Sequence, residues 1–230
     1  MRRIIVLVIT LAVLVVVGVG GWYLFIRKEP AKLTLSQRAG PQAAKSIDAL
    51  VGTWKPVSST SVAGYRVKEK LARLPARSDA VGRTSAITGE VALAKAGSDL
   101  SVPAACFEVD LTTLKSDIGQ RDNRIRSLGL ESDRFPKATF KLGEPIAVPA
   151  AAQDGSPVKV EAVGDLTLHG VTKRVTIPLD AQLAGTRIEL VGNLTFPFRD
   201  FGMDPPNIAN FVTVDPDATL ELQLFLSKAR

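Results

Sequence analysis

Histidine and cysteine, the side chains that most often bind metals or act as nucleophiles, occur once each in this 230-residue chain. A catalytic histidine needs an orienting partner and a nucleophile, and neither a Ser-containing elbow nor a pair of carboxylates accompanies His169. We therefore predict no catalytic residue and no metal site. His169, which precedes Gly170, is expected to form a hydrogen bond that fixes a turn, and Cys106 to be a small, partly buried side chain.

Two Arg-Asp dipeptides, Arg121-Asp122 and Arg199-Asp200, are the other groups that can recognise a ligand. Guanidinium groups bind polar or phosphorylated head groups well. The alternative is that these side chains pair with each other or cap the adjacent backbone, as surface charges commonly do. Together with His169 they are the predicted polar rim of a binding site.

The elements that position these residues follow from an alternation of apolar and polar side chains after Trp54, which is typical of strands with one buried face. The longest alternation runs from Val158 to Leu168, and about eight such strands are present. The pattern predicts an antiparallel sheet that closes into a barrel or folds into a two-sheet sandwich. The stretch Ile118–Leu130 has near-helical spacing and predicts one inserted helix.

The beginning of the chain has a different character. An unbroken run of uncharged residues from Ile4 to Ile26 is long enough to cross a bilayer as a helix. No small-x-small cleavage site follows it, so a retained transmembrane anchor is favoured over a cleaved signal peptide. We predict an anchor with flanking charges (1–28), a linker (29–50) and a folded domain (51–230). Basic residues flank both ends of the span, so charge alone leaves its orientation open.

The composition excludes several classes of protein. The formal net charge is +6, but much of the excess comes from the basic residues that flank the apolar run. The remainder implies no basic face for nucleic acid. One cysteine excludes a disulfide within the chain, and a hydrophobic content of 46% argues against disorder.

Several phrases of the predicted domain, spanning about Trp54 to Lys228, together resemble the YceI-like family of lipocalin-like barrels. The resemblance rests on their order and spacing. The phrases are Val109-Asp110-Leu111 with Leu114, Arg121-Asp122, Ile125-Arg126-Ser127, Phe135-Pro136-Lys137-Ala138-Thr139-Phe140, Gly164-Asp165-Leu166-Thr167-Leu168-His169-Gly170-Val171-Thr172-Lys173 and Asp200-Phe201-Gly202.

The resemblance implies an extended, eight-stranded antiparallel barrel with one helix inserted, whose apolar cavity binds a polyisoprenoid or isoprenoid-quinone-like lipid. It implies no catalytic activity and no cofactor besides such a lipid, and it implies that the domain works outside the cytoplasmic membrane. Combined with the anchor Ile4–Ile26, it predicts a single-pass, membrane-anchored lipid carrier with its barrel on the extracytoplasmic side. The alternative is a scaffold whose barrel is filled by its own side chains. A homodimer is compatible with either hypothesis.

The predicted cavity lining consists of apolar side chains from the strands and the inserted helix. These residues are Phe107, Val109, Ile125, Leu128, Phe140, Leu166, Leu168, Leu194, Phe196, Phe198, Phe211, Leu222 and Leu224.

Overall fold

Buried and exposed side chains alternate along many strands of the computed structural model, as in Val158–Leu168, where the even-numbered positions face inward. Lys32–Arg230 form one compact unit. The structure describes residues 30–36, 43–44, 46–71, 77–184, 186–208 and 212–229.

Within these residues the chain forms twelve strands and two short helices. The strands are β1 (Gly52–Pro56), β2 (Val62–Leu71), β3 (Arg77–Thr84), β4 (Ile87–Ala96), β5 (Asp99–Asp110), β6 (Lys137–Leu142), β7 (Ile146–Val148), β8 (Val158–Leu168), β9 (Val171–Ala184), β10 (Arg187–Pro197), β11 (Asn207–Ile208) and β12 (Val212–Lys228). The helices are α1 (Ile47–Leu50) and α2 (Gly119–Arg124), and α2 continues as a π-helical turn, Ile125–Gly129. Three 3₁₀ turns are Leu111–Thr113, Ala150–Asp154 and Phe198–Phe201.

The strands close into an eight-stranded antiparallel barrel. Closure occurs at β1, which pairs with β4 on one side and with the end of β12 on the other. Strands β1 and β2 pair with successive parts of β12, and β6 and β7 pair with successive parts of β5. Each of these two sets of short strands therefore occupies one strand position of the barrel. This closed ring of paired strands confirms the predicted barrel, as opposed to a two-sheet sandwich. One short helix, α2, is inserted, as predicted.

Two large apolar clusters occupy the two ends of the barrel. One contains Trp54 and Leu226, where β1 meets β12. The other contains Leu168 and Phe196, beside the turn that joins β8 to β9. Helix α2 belongs to this second end, because Leu111 and Leu114, which precede it, are buried in the second cluster. Arg121 of the helix pairs with Glu69 of β2, and the bridge between Arg83 and Lys115 ties the preceding segment to β3. The helix therefore lies beside an edge of the wall that β2 and β3 form.

Part of the predicted linker is attached to the barrel. The amide and hydroxyl of Ser36 donate to the two carboxylate oxygens of Glu189, at 2.9 and 2.7 Å, and the Gln223 amide donates to the carbonyl of Thr34. Leu50 is buried in the core. Helix α1 thus supplies apolar surface that the barrel buries, and the predicted division of the chain into anchor, linker and domain stays a prediction.

The predicted anchor Ile4–Ile26 lies outside the described residues. Among the residues that the structure does describe, no helix is both long and apolar enough to cross a membrane. The anchor and its position in residues 1–28 stay predictions.

Candidate functional site

A continuous cavity runs through the barrel and has a volume of about 680 Å³. Its wall is built mainly from inward-facing aliphatic and aromatic side chains of the strands. Leu50 and Ala152 lie at one end, and residues of α2 and its π-helical turn lie at the other. Volumes of about 300–1,000 Å³ with an apolar lining and few polar groups are typical of ligand sites.

Most of the apolar side chains that the sequence singles out meet at this cavity. Leu194, which is half-buried and packs against two of the apolar clusters, is not among the residues that border it. Phe211 lies outside the described residues. The eleven that border the cavity are Phe107, Val109, Ile125, Leu128, Phe140, Leu166, Leu168, Phe196, Phe198, Leu222 and Leu224. Their role in binding a ligand remains a prediction.

One end of the cavity carries most of its charged side chains, and we call this end the mouth. The mouth is formed by α2 with its π-helical turn, by the end of β2 and by the segment after Met203. Its residues at the cavity surface are Glu69, Gln120, Arg121, Arg124, Leu128, Asp204, Pro205 and Pro206.

Arg121 is the one predicted rim residue that borders the cavity. Its Nη2 lies 2.5 Å from Oε1 of Glu69, and its Nη1 pairs with Asp117 one helical turn earlier. Burial works to lower the pKa of Arg121, but these two carboxylates outweigh it and raise the pKa above its ordinary value. The guanidinium is therefore charged, and its charge is matched by acidic neighbours.

Tyr65 is the polar side chain deeper in the wall. Burial is the largest influence on its pKa and raises it well above the ordinary value, with Arg121 opposing. Its hydroxyl is buried and has no hydrogen-bond partner among the described residues. The phenol therefore stays protonated, and its hydroxyl is packed inside the wall of the barrel.

The other predicted rim residues do not border the cavity, and the role of the predicted rim in binding a ligand stays a prediction. Asp122 accepts from the amide and hydroxyl of Ser116, at 2.9 and 2.6 Å, because its carboxylate caps the backbone before α2. Asp200 lies 3.5 Å from the amine of Lys173, and Arg199 is exposed. These side chains satisfy local turns and surface pairs, which was the alternative interpretation of the sequence.

His169 also has a local role. It lies in the two-residue turn between Leu168 and Val171 with a φ of +51°, and its ring packs on Phe135 at a centroid distance of 4.4 Å. Its Nδ1 lies 3.2 Å from the carbonyl oxygen of Phe201.

Cys106, predicted to be partly buried, is exposed, because its position on β5 faces away from the cavity.

Tyr65 and Glu69 border the cavity, although neither was predicted to do so. Both lie on β2 in the same phase as Val67, and all three border the cavity. The alternation rule places such residues on one face of a strand. The alternation of residues 65, 67 and 69 could therefore have placed Glu69 at the cavity. An acidic residue at an otherwise apolar position, however, also fits the end of a strand.

A family model for the YceI-like domain matches residues 54–226. The chain belongs to the YceI-like family. Its relatives include a UPF0312 protein of Vibrio parahaemolyticus, 32% identical over 114 residues, which are 46% of this chain and 57% of that protein. A UPF0312 protein of Vibrio cholerae is 28% identical over 58% of this chain and 70% of its own length. The chain thus spans little more than half of the first relative.

Two solved structures share the fold. A polyisoprenoid binding domain from Saccharophagus degradans, described as implicated in plant cell wall breakdown, superposes with a TM-score of 0.58 at 20% identity. That match covers 76% of this chain and 98% of the other. BcnA of Burkholderia cenocepacia matches with a TM-score of 0.55 at 16% identity, over 74% of this chain and 98% of BcnA. The family is one of binding-protein barrels.

Proposed function

We propose that this protein binds a polyisoprenoid or isoprenoid-quinone-like lipid in its barrel and acts as a carrier, without catalysing a reaction. The continuous apolar cavity of about 680 Å³ is the observation that carries the proposal. Protein interiors are otherwise close-packed, with few voids larger than a water molecule. The description of the Saccharophagus degradans domain as polyisoprenoid binding supports the same class of ligand.

A cavity of this kind suits a long hydrocarbon better than a compact polar ligand. Each methylene group transferred out of water contributes about 0.8 kcal/mol, so an isoprenoid chain gains affinity along its whole length. The aromatic side chains Phe107 and Phe140 offer flat apolar surface in the wall. The alternative of a scaffold with a filled barrel requires side chains in this volume.

Two adjacent residues of β5 provide a matched test. Ala105 borders the cavity, whereas Ala104 is exposed on the outer face. The variant Ala105→Phe should fill part of the cavity and lower bound lipid several-fold, and Ala104→Phe should not. Bound lipid is measured by mass spectrometry of an organic extract, relative to folded protein. Equal lipid in both variants, or none in any preparation of the wild-type chain, would contradict the proposal.

We further propose that Ile4–Ile26 anchors the protein and that the barrel lies on the extracytoplasmic side. A lipid that leaves the bilayer exposes apolar surface, and a tethered barrel shortens that path. The intact mass of protein extracted from membranes tests retention, and a chain that begins near residues 21–30 would contradict it.

Cys106 is a built-in reporter of the side of the membrane, because it is exposed and is the only cysteine of the chain. A membrane-impermeant maleimide should label it in intact spheroplasts. Labelling that occurs only after lysis would place the barrel in the cytoplasm.

A further inference from the structure

The end of the cavity opposite the mouth is closed by a segment that precedes the first strand of the barrel. We propose that helix α1, through Leu50, limits the length of hydrocarbon that the cavity accepts. Leu50 is then a specificity-determining residue for the chain length of the lipid. This inference rests on the proposed function and deepens it by naming the residue that sets an upper limit.

The position of Leu50 is the first step in the argument. Its side chain is only 7% exposed and packs in the apolar cluster that contains Trp54 and Leu226. The same side chain borders the cavity. Leu50 therefore lies between the closed end of the barrel and the space inside it. The end of a hydrocarbon chain that fills the cavity would meet this side chain.

The attachment of α1 to the barrel is the second step. The indole nitrogen of Trp54 donates to the carbonyl of Leu50, at 2.8 Å, in a buried hydrogen bond. The amine of Lys228 donates to the carbonyl of Ala49, at 3.0 Å. The last carbonyl groups of a helix have no partner within the helix, and here β1 and β12 supply the partners. These bonds hold α1 in place against a ligand that presses on it.

A second segment completes the closed end, and we call it, together with α1, the floor. It is the 3₁₀ turn Ala150–Asp154, in which Ala152 borders the cavity. The amide of Ala44 donates to the carbonyl of Gln153, at 2.8 Å, so the residues before α1 are tied to this turn. The floor presents apolar side chains to the cavity, whereas charged side chains border it at the mouth. The hydrocarbon end of a lipid is therefore the part that suits the floor.

The origin of the floor in the chain is the third step. The family match covers residues 54–226, and α1 lies before its first residue. The matched residues of the barrel therefore do not by themselves supply Leu50. A limit on chain length that Leu50 sets is a property of this chain, beyond what membership of the family implies.

The test compares prenols of increasing length: farnesol, geranylgeraniol, hexaprenol and solanesol. Full-length protein in phosphatidylcholine nanodiscs is equilibrated with an equimolar mixture, and mass spectrometry measures the prenol bound in excess of protein-free nanodiscs. A bilayer buries every methylene group, so this excess should vary little with length while the whole chain fits the cavity. Beyond the limit it should fall about fourfold for each methylene group left in water, the equivalent of about 0.8 kcal/mol. The wild-type protein should therefore show a cut-off within the series.

Two substitutions of Leu50 should move this cut-off in opposite directions. Leu50→Ala lengthens the cavity and should raise the binding of the first prenol beyond the wild-type limit by about tenfold, the effect of about two methylene groups. Leu50→Phe shortens the cavity and should lower the binding of the longest accepted prenol by a similar factor. Leu222→Ala removes the same atoms from the side wall of the cavity and is the matched control. It should leave the cut-off unchanged.

Binding is expressed per folded protein, because Leu50→Ala creates space in a buried cluster. If that variant does not fold, Leu50→Phe carries the test, since its larger side chain can extend into the cavity that Leu50 borders. A wild-type protein without a cut-off, an unchanged cut-off in the folded Leu50 variants, or an equal shift in Leu222→Ala would overturn the role of α1 while lipid binding stands. Failure of every prenol to bind would overturn the proposed function itself.

Discussion

The aromatic ring of Tyr65 lies directly against Gly82, its cross-strand partner. A β-carbon at Gly82 would lie 2.2 Å from Cε1 of the Tyr65 ring. No real β-carbon tolerates such a contact, so either the ring or the strand would have to move. Gly82 is therefore needed for its lack of a side chain, which lets the Tyr65 ring lie against β3.

Gly82→Ala should lower the free energy of unfolding by about 1–3 kcal/mol, the usual cost of overpacking. It should also lower the amount of bound lipid per folded protein, because the displaced ring is part of the cavity wall. Gly119→Ala is the control, since nothing lies within 4 Å of a β-carbon there. Urea denaturation measures both, and equal stability of the two variants would show that the Tyr65 ring has room to move. Combining Gly82→Ala with Tyr65→Ala should recover much of the loss, because residues in contact do not contribute additively.

Strand periodicity predicted the barrel walls well, because burial of one face imposes a period of two on any sequence. It placed Leu166 and Leu168 inward, where they lie. The same rule could have placed Glu69 at the cavity. Its pairing with Arg121, 52 positions away, could not be predicted, because it depends on how the helix returns to the end of β2.

The predicted polar rim shows the limit of reasoning from residue types alone. Arg-Asp dipeptides have the same appearance in a sequence whether they serve a ligand or a turn. Asp122 caps a backbone segment, and Asp200 pairs with Lys173. Those outcomes depend on side-chain directions at element ends, which alternation does not specify.

A buried ion cluster on the outer wall should make stability depend on pH. Arg66 bridges Glu221 and Asp79, at 3.1 and 2.9 Å. Burial works to raise the pKa of Asp79, but hydrogen bonds from Arg66 and Lys68 outweigh it, so the pKa lies below its ordinary value. The stabilisation is therefore present above the pKa of an unfolded Asp, about 3.9, and is lost as the pH falls through the folded-state pKa.

Asp79→Asn should accordingly destabilise the protein at neutral pH and reduce the fall in unfolding free energy between about pH 5 and pH 3. Asp133→Asn, which changes an exposed carboxylate, should keep the wild-type dependence. Denaturant titrations at each pH measure the difference. Parallel curves for Asp79→Asn and the wild-type protein would contradict the assignment of this acid sensitivity to Asp79.

The backbone conformation of the turn at His169 predicts which substitutions of this residue the fold tolerates. His169 and Gly170 have φ values of +51° and +74° between paired residues of β8 and β9, as in a type I′ hairpin turn. Asn tolerates this conformation, whereas a β-branched residue does not. His169→Asn should therefore unfold at nearly the wild-type denaturant concentration, and His169→Val should cost about 1–3 kcal/mol. Lipid content should be unchanged in the folded fraction of both, since His169 does not border the cavity. Loss of lipid from folded His169→Asn would give the histidine a role in binding.

Leu128 provides a test of how lipid enters. It borders the cavity at the mouth, yet 71% of its surface is exposed, and it is the one large hydrophobic residue so exposed among the described residues. An exposed apolar side chain beside a cavity entrance can cover part of a lipid that is leaving the bilayer, and this lowers the cost of exposing methylene groups to water. It lies in the π-helical turn that follows α2, a geometry that is frequent at functional sites.

Leu128→Ser should change the free energy of unfolding by no more than about 0.5 kcal/mol, as for most surface substitutions. Uptake of a fluorescent isoprenoid from donor vesicles should nevertheless slow several-fold, because the side chain that shields the entering lipid is gone. Ala104→Ser, on the exposed outer face of β5, is the control and should leave uptake unchanged. Stopped-flow transfer measures the rate, and the equilibrium lipid content of both variants should match the wild-type protein. A change at the entrance should raise the kinetic barrier to lipid entry and leave most contacts of the bound lipid intact. If the equilibrium affinity falls as much as the rate of uptake, Leu128 contacts the bound lipid instead.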